Sequence, residues 1–248
     1  MKSVIEGFRG ALSFLTRIPV NTDRGDWEQF RTFPAAFVLV GYLIGAIAAL
    51  PFALGLPAPT AAFGYLFVLV ALVGIPHLDG VADLGDAMAA HGEEATRKAL
   101  KDTKTGVGAI VATTVVVIGL VLAAVALSGL PLTVAVGIVI AAEIGAKLGM
   151  ASIACLGSAA HDGMGSAFTG SVDRAQMLGP ILVALPAALL VSVPVGLVAV
   201  GLGPIVAIGL IRWASDAIGG VNGDIFGATN EIARVLSLHA GVIVWTLW

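Results

Sequence analysis

Apolar stretches of membrane-spanning length recur along this chain, and each ends where the charges resume. A helix needs about 20 such residues to cross the hydrocarbon core, and apart from closed barrels only helices satisfy their backbone there. Residues 34–55 form one stretch and 60–75 the next, with Pro57 and Pro59 turning the chain between them. Residues 107–127 and 133–153 make a second pair around the SGLP turn at 128–131. A third pair covers 177–193 and 195–211, where Pro194 and Pro204 allow more than one boundary. The last stretch, 235–248, suits either a short span or an interfacial helix with Trp245 and Trp248 at headgroup level. The expectation is an all-α, polytopic membrane protein: six to seven transmembrane helices arranged as hairpins, in one domain over 1–248. Composition agrees, since 58% of residues are hydrophobic and 12% charged, against about 25% charged in a soluble domain. The opening MKSVIEGFRGALSFLTRIPV is interrupted by Glu6, Arg9 and Arg17. That is the pattern of an amphipathic segment on the membrane surface rather than a signal peptide.

Hairpin topology assigns sides. Segments 1–33, 76–106, 154–176 and 212–234 share one face and hold every one of the 13 Lys and Arg except Lys147. The turns on the other face hold none, so by the positive-inside bias the loaded face is cytoplasmic. Carboxylates follow the same partition, with Glu143 the only one well inside a span. Several function classes drop out. A net charge of −3 offers no basic face to nucleic acid. The single Cys155 excludes an internal disulfide and any multi-thiolate site, and the 4 His form no HExxH. Neither a GxxxxGK phosphate loop nor a GxGxxG after a strand is present.

Four polar constellations lie on the cytoplasmic side. HLDGVADLGDA places Asp79, Asp83 and Asp86 at i, i+4 and i+7, one helical face within about 60° of arc. At the bilayer centre each would cost about 2.5 to 3.5 kcal/mol, so the stripe faces water, protein or metal. Three carboxylates this close ionise together only if a cation offsets their repulsion, and such hard oxygen ligands suit Mg²⁺ or Mn²⁺. A solvated helix face is the plainer explanation, but it would mix signs, and no Lys or Arg follows until Arg97. His77 falls off the aspartate face, and His91 and His239 show no partner. Second, RKALKDTKTGVG puts Arg97, Lys101 and Lys104 on one helical face, a row suited to a polyphosphate beside a metal; basic residues that merely fix topology would look the same. Third and fourth, HDGMGS and GGVNGDIFGATNE join Asp162 and Asp224 to glycines whose N–H groups can cradle phosphate, and Asn222 and Asn230 add hydrogen-bonding capacity. Gly and Asp are also ordinary turn formers. Within the membrane, Glu143 and Lys147 at i, i+4 form an expected pair, either a structural ion pair or a contact to substrate.

These blocks carry a resemblance. FLTRIPV at 14–20, HLDGVADLGDA, RKALKDTKTGVG, DGMG and GGVNGD, in that order nearly end to end, resemble the cobalamin synthase (adenosylcobinamide-GDP ribazoletransferase) family. The resemblance implies that α-ribazole, free or as its 5′-phosphate, displaces GMP from adenosylcobinamide-GDP to give adenosylcobalamin or its 5′-phosphate. It implies Mg²⁺ on Asp79, Asp83 and Asp86, one of which takes the proton, with Arg97, Lys101 and Lys104 on the diphosphate. Asp102, Asp162, Asn222 and Asp224 become further contacts to metal or substrate. It also implies the cytoplasmic (inner) membrane of a prokaryote, with lipid and the two substrates as partners, no nucleic acid, and a homo-oligomer left open. Two alternatives stand beside it. A CDP-alcohol phosphotransferase uses a similar aspartate helix, though its D-x2-D-G-x2-A-R and later D-x3-D are missing here. A cation-coupled secondary transporter would place its acids near the midplane, on interrupted helices in two related halves.

Overall fold

The computed structural model describes residues 2–90, 92, 94–96 and 104–248. It opens with α1, Lys2–Leu15, folded back on α2, Arg24–Thr32. Ala11, Leu15 and Phe30 are buried between them while Val4 and Ile5 stay exposed, the two faces of an amphipathic segment. Contact is close at Gly10, where a Cβ would come 2.3 Å from the Asp26 carbonyl oxygen. Asp23 and Asp26 close a reciprocal cap at the start of α2.

Next come α3, Ala35–Ala48, which runs through a 3-10 turn to Leu54, and α4, Ala58–Val73. The chain then bends by 97° into α5, Pro76–Ala89. Gly74 takes φ 78°, open to glycine at no steric cost, and Pro76 starts α5 without an N–H to continue α4. Arg17 N–H donates to the Leu72 carbonyl at 2.7 Å and ties the N-terminal segment to this corner. Helices α6, Val107–Leu127, and α7, Leu132–Leu156, follow as the expected second hairpin. After the short α8, Met164–Thr169, and α9, Leu178–Ala184, two long helices complete the chain: α10, Val193–Ile218, and α11, Gly223–Leu247.

By length and composition the described residues hold four helices able to cross a membrane, or five if α4 and α5 are one broken span. The six to seven expected spans divide differently for physical reasons. The expected span at 177–193 is instead a short apolar helix, Arg174–Leu189, in which α9 is flanked by 3-10 segments Arg174–Met177 and Leu185–Leu189, and Pro180 and Pro186 each remove an N–H from the helical ladder. Segment 212–234, expected as a loop, is instead the end of α10 and the first half of α11, so 235–248 is the tail of a 25-residue helix.

Helix α7 is the axis of the bundle. Of its most apolar window 89% is buried, against 28% in α6 and 33% in α10, which leaves those two to face lipid. Glycines bring its neighbours close, as small residues do between membrane helices. A Cβ on Gly203 of α10 would fall 1.7 Å from the Gly145 carbonyl oxygen of α7, and Gly41 and Gly45 of α3 lie against Lys147 and Glu143.

Candidate active site

Helix α5 leaves the membrane bundle at its corner and lies across the starts of α6 and α11. Gly80 and Gly85 make this possible: a Cβ on Gly80 would stand 2.5 Å from the Asp224 carbonyl oxygen, and one on Gly85 2.6 Å from that of Gly108. Gly80, Val81, Leu84 and Ala87 turn inward. Asp79 on the outer side is exposed, while Asp83 and Asp86 are half-buried.

The stripe is real, but its members have different surroundings. Asp86 turns both oxygens to the start of α6, accepting from Gly106 N–H at 2.7 Å and Ala109 N–H at 2.9 Å. That satisfies orphan donors of the first turn and places a negative charge at the positive end of the helix dipole. Asp83 has no such partner in the described residues. Burial first, then the negative charges of Asp224, Asp79 and Asp86, push its pKa up to about 6.

Asp224 is therefore a member of the acidic group, delivered from a chain segment 138 to 145 residues away from the stripe. Asn222 holds it in place: its Oδ1 caps α11 by accepting from Ile225 N–H at 3.1 Å, and its Nδ2 donates to Asp224 Oδ2 at 2.7 Å. Burial raises the Asp224 pKa, the Asn222 hydrogen bond opposes this, and the Asp79 charge adds to the rise. The HDGMGS and GGVNGD segments meet here. Ala159 and Val221 form a parallel bridge, Ala160 N–H donates to the Val221 carbonyl at 3.0 Å, and Val221 N–H to that of Ser158 at 2.8 Å. Gly165 is pressed against this strand-like contact, where a Cβ would be 2.7 Å from the Val221 carbonyl oxygen. Asp162 is exposed at the edge of the junction, and His161 is close enough to lower the Asp224 pKa electrostatically.

Lys104 borders an open depression of about 370 Å³ with Asp86 and Gly106. Arg97, Lys101 and Asp102, the rest of the expected basic block, lie outside the described residues, as does His91. Among the described residues no three metal-ligating side chains converge as a ready-made cage. Mg²⁺ does not require one, since it is commonly held by one or two carboxylates, with water and phosphate oxygens filling its shell. The donor chemistry of Asp79, Asp83 and Asp224 fits that ion, and the repulsion that raises Asp83 is what a cation would relieve.

The model of the family described as cobalamin-5-phosphate synthase matches residues 7–242, which include all of this acidic junction. The chain belongs to that family. An adenosylcobinamide-GDP ribazoletransferase from Halorubrum lacusprofundi is 46% identical, covering 98% of this chain and 99% of its own length. One from Haloquadratum walsbyi is 41% identical over 98% of this chain and 100% of its own. The Halobacterium salinarum protein of the same name is 53% identical over 78% of this chain and 98% of its own. No solved structure matches.

This cobalamin-5-phosphate synthase family member also contains a buried polar network, of which only Asn230 is among the expected site residues. Glu143 and Lys147 pair at 2.7 Å as expected. Their pair is part of a larger network: Arg234 Nε donates to Glu143 Oε2 at 2.6 Å, Arg234 also binds Glu231, and Lys147 Nζ donates to Asn230 Oδ1 at 2.6 Å. Asn230 Nδ2 bonds Glu231 Oε1 at 2.9 Å and His77 Nδ1 at 3.1 Å, so the network reaches the root of α5. The signal was present in part, since Asn230, Glu231 and Arg234 share a helical segment. Their charges suggest a cytoplasmic loop in sequence, yet they lie within the 25-residue helix α11. His239, without an evident partner in sequence, is within hydrogen-bond distance of the Gly119 carbonyl at 3.0 Å.

Proposed function

We propose that the chain joins α-ribazole, or its 5′-phosphate, to adenosylcobinamide-GDP with release of GMP, giving adenosylcobalamin or its 5′-phosphate. The family match over 7–242 supports the reaction. The observation that carries the site is the close seating of Gly80 on the Asp224 backbone, which brings Asp224 near enough to Asp83 to act on it electrostatically, as Asp79 does. The reaction would take place on the cytoplasmic side of a prokaryotic cell membrane, the side to which the basic residues assign this rim.

The transfer makes one bond and breaks one. The ribose hydroxyl oxygen forms a P–O bond to the phosphorus on the cobinamide side, the phosphoanhydride breaks, and its electron pair departs with GMP. The hydroxyl proton needs an acceptor, and Asp83, half-buried and without a hydrogen-bond partner among the described residues, is the carboxylate left for that role. Asp79 and Asp224 would hold Mg²⁺, which when bound supplies charge neutralisation to the diphosphate oxygens. Lys104, with Arg97 and Lys101 of the same block, would balance the charge that gathers on departing GMP. Asp86 acts as a positioning residue, because its hydrogen bonds to Gly106 and Ala109 seat α5 on α6. Asp162 and Asn222 border the junction, Asn222 by orienting Asp224.

Asp83→Asn should abolish GMP release, a loss of about 10³-fold or more, since it removes the base of a proton transfer and one charge of the cation site. Membrane insertion should be unchanged, and thermal stability at neutral pH no lower than in the wild type. A correctly inserted Asp83→Asn protein with full activity would sink the assignment.

A further inference from the structure

Beside the acidic junction lies a cavity of about 280 Å³ enclosed by α1, α5, α7, α8 and α11. Phe14, Phe168 and Phe226 wall it together with Met150 and Met164. The Phe14 and Phe168 rings are 5.7 Å apart and Phe168 and Phe226 5.6 Å, so the three form a continuous aromatic surface. The volume is at the lower end of small-molecule pockets, about 300 Å³. It admits one fused bicyclic ring and excludes a corrin macrocycle. Asp224 lines the same cavity, which connects it directly to the acidic rim.

Among the side chains of this lining, His77 supplies the hydrogen-bond donor, and its tautomer follows from its neighbours. Lys147 Nζ can only donate, so the Asn230 atom 2.6 Å away is the amide oxygen. Asn230 Nδ2 must then face His77 Nδ1, at 3.1 Å, and Glu231 Oε1, at 2.9 Å. An amide NH₂ can only donate, so His77 Nδ1 is the acceptor and the neutral ring carries its proton on Nε2. Nε2–H has no partner among the described residues. The cavity thus offers aromatic and thioether walls, one side-chain N–H donor, and the Asp224 carboxylate where it opens to the acidic rim.

We propose that this cavity binds the fused-ring base of the ribazole nucleophile, with its free ring nitrogen accepting from His77 Nε2–H. The inference rests on the transfer reaction proposed above and assigns the base half of its nucleophile. A benzimidazole attached to ribose has one ring nitrogen free to accept, matching one donor, and an otherwise apolar edge that matches Phe and Met. Guanine would need the Asp224 carboxylate as acceptor for its N1–H and N2–H, and the proposed transfer gives that carboxylate to the cation. With the base in the cavity, the attached ribose lies next to Asp224, and its hydroxyl is directed toward Asp83.

Purified full-length protein in lipid nanodiscs tests this by GMP release from adenosylcobinamide-GDP with α-ribazole and with its indole analogue, where C–H replaces the accepting nitrogen. In the wild type the indole nucleoside should have a KM about 10- to 100-fold higher, the cost of leaving one buried donor unpaired. His77→Leu should bring the two nucleosides to the same KM and leave that for adenosylcobinamide-GDP within about twofold. Met164 stands 41% exposed at the lip, so Met164→Trp should fill the cavity without disturbing the core and should weaken both nucleosides. Equal KM values in the wild type, or a His77→Leu defect confined to adenosylcobinamide-GDP, would overturn the proposal. Binding of free 5,6-dimethylbenzimidazole, followed by its fluorescence, reads the cavity without turnover. Saturable binding lost in Met164→Trp supports the cavity even if the wild type releases no GMP, a result that would sink the transfer reading alone. No binding to the wild type overturns the cavity assignment.

Discussion

Two groups of charges are carried by α5, α7 and α11, and they are built in opposite ways. Glu143, Lys147, Glu231 and Arg234 are buried, two negative against two positive, with Asn230 and His77 completing their hydrogen bonds. Asp79, Asp83 and Asp224 at the rim are more open and uniformly negative, and the charges of Asp224 and Asp79 add to the burial that raises the Asp83 pKa. The inner group settles its charge within the protein and needs nothing from outside. The outer group is left unbalanced by its own chain, so a cation and a substrate have to complete it. Burial alone does not separate structural from functional charge; the internal balance does.

That contrast can be broken from either side. Glu143→Gln removes the shared acceptor of Lys147 and Arg234 and leaves two buried cations against one carboxylate. It should cost about 3 to 5 kcal/mol, the penalty for breaking a buried pair from one side, read as a loss of thermal stability with or without substrate. A stability equal to wild type would mean the network is wet or redundant.

The pH response should separate the same two regions by a smaller amount. Asp83 holds its proton in the native state up to about pH 6, whereas unfolded it would lose it near 3.8. Between those values the native state binds more protons than the unfolded one, so this group's contribution to stability falls as pH rises and levels off above about 6. A cation at the rim must displace that proton, so stabilisation by Mg²⁺ should grow with pH across the same interval. Melts with and without Mg²⁺ from pH 4.5 upward, in wild type and Asp83→Asn, check this; a Mg²⁺ effect independent of pH would remove Asp83 from the cation site.

The smallest effect belongs to Asp86. Asp86→Asn keeps an acceptor for one of the two N–H groups and should cost about 1 kcal/mol, the ordinary value of a helix cap. A loss of several kcal/mol in equilibrium stability would show that Asp86 does more than seat α5 on α6.

The parts legible in sequence are those that depend on neighbours along the chain. Hydropathy marks α3, α6, α7 and α10, and i, i+4, i+7 spacing puts Asp79, Asp83 and Asp86 on one face of α5. Pairings across the fold were not legible. Asp86 looks like its two companions until the Gly106 and Ala109 N–H groups arrive from the next helix. Glu231 and Arg234 look like loop charges until Glu143 and Lys147 are brought to them from α7. Asp224, in sequence either a phosphate cradle or a Gly-Asp turn, joins the aspartate stripe only because Gly80 lets α5 lie against it.

The most direct test of the outer group compares GMP release by Asp224→Asn and Asp86→Asn over a Mg²⁺ titration, in protein of equal folded content. The account predicts that Asp224→Asn loses turnover and its dependence on Mg²⁺, while Asp86→Asn keeps the wild-type dependence with at most a modest fall in rate. The reverse order, with Asp86→Asn inactive and Asp224→Asn normal, would return the cation to the sequence stripe and contradict the junction of α5 with α11 as the centre of the chemistry.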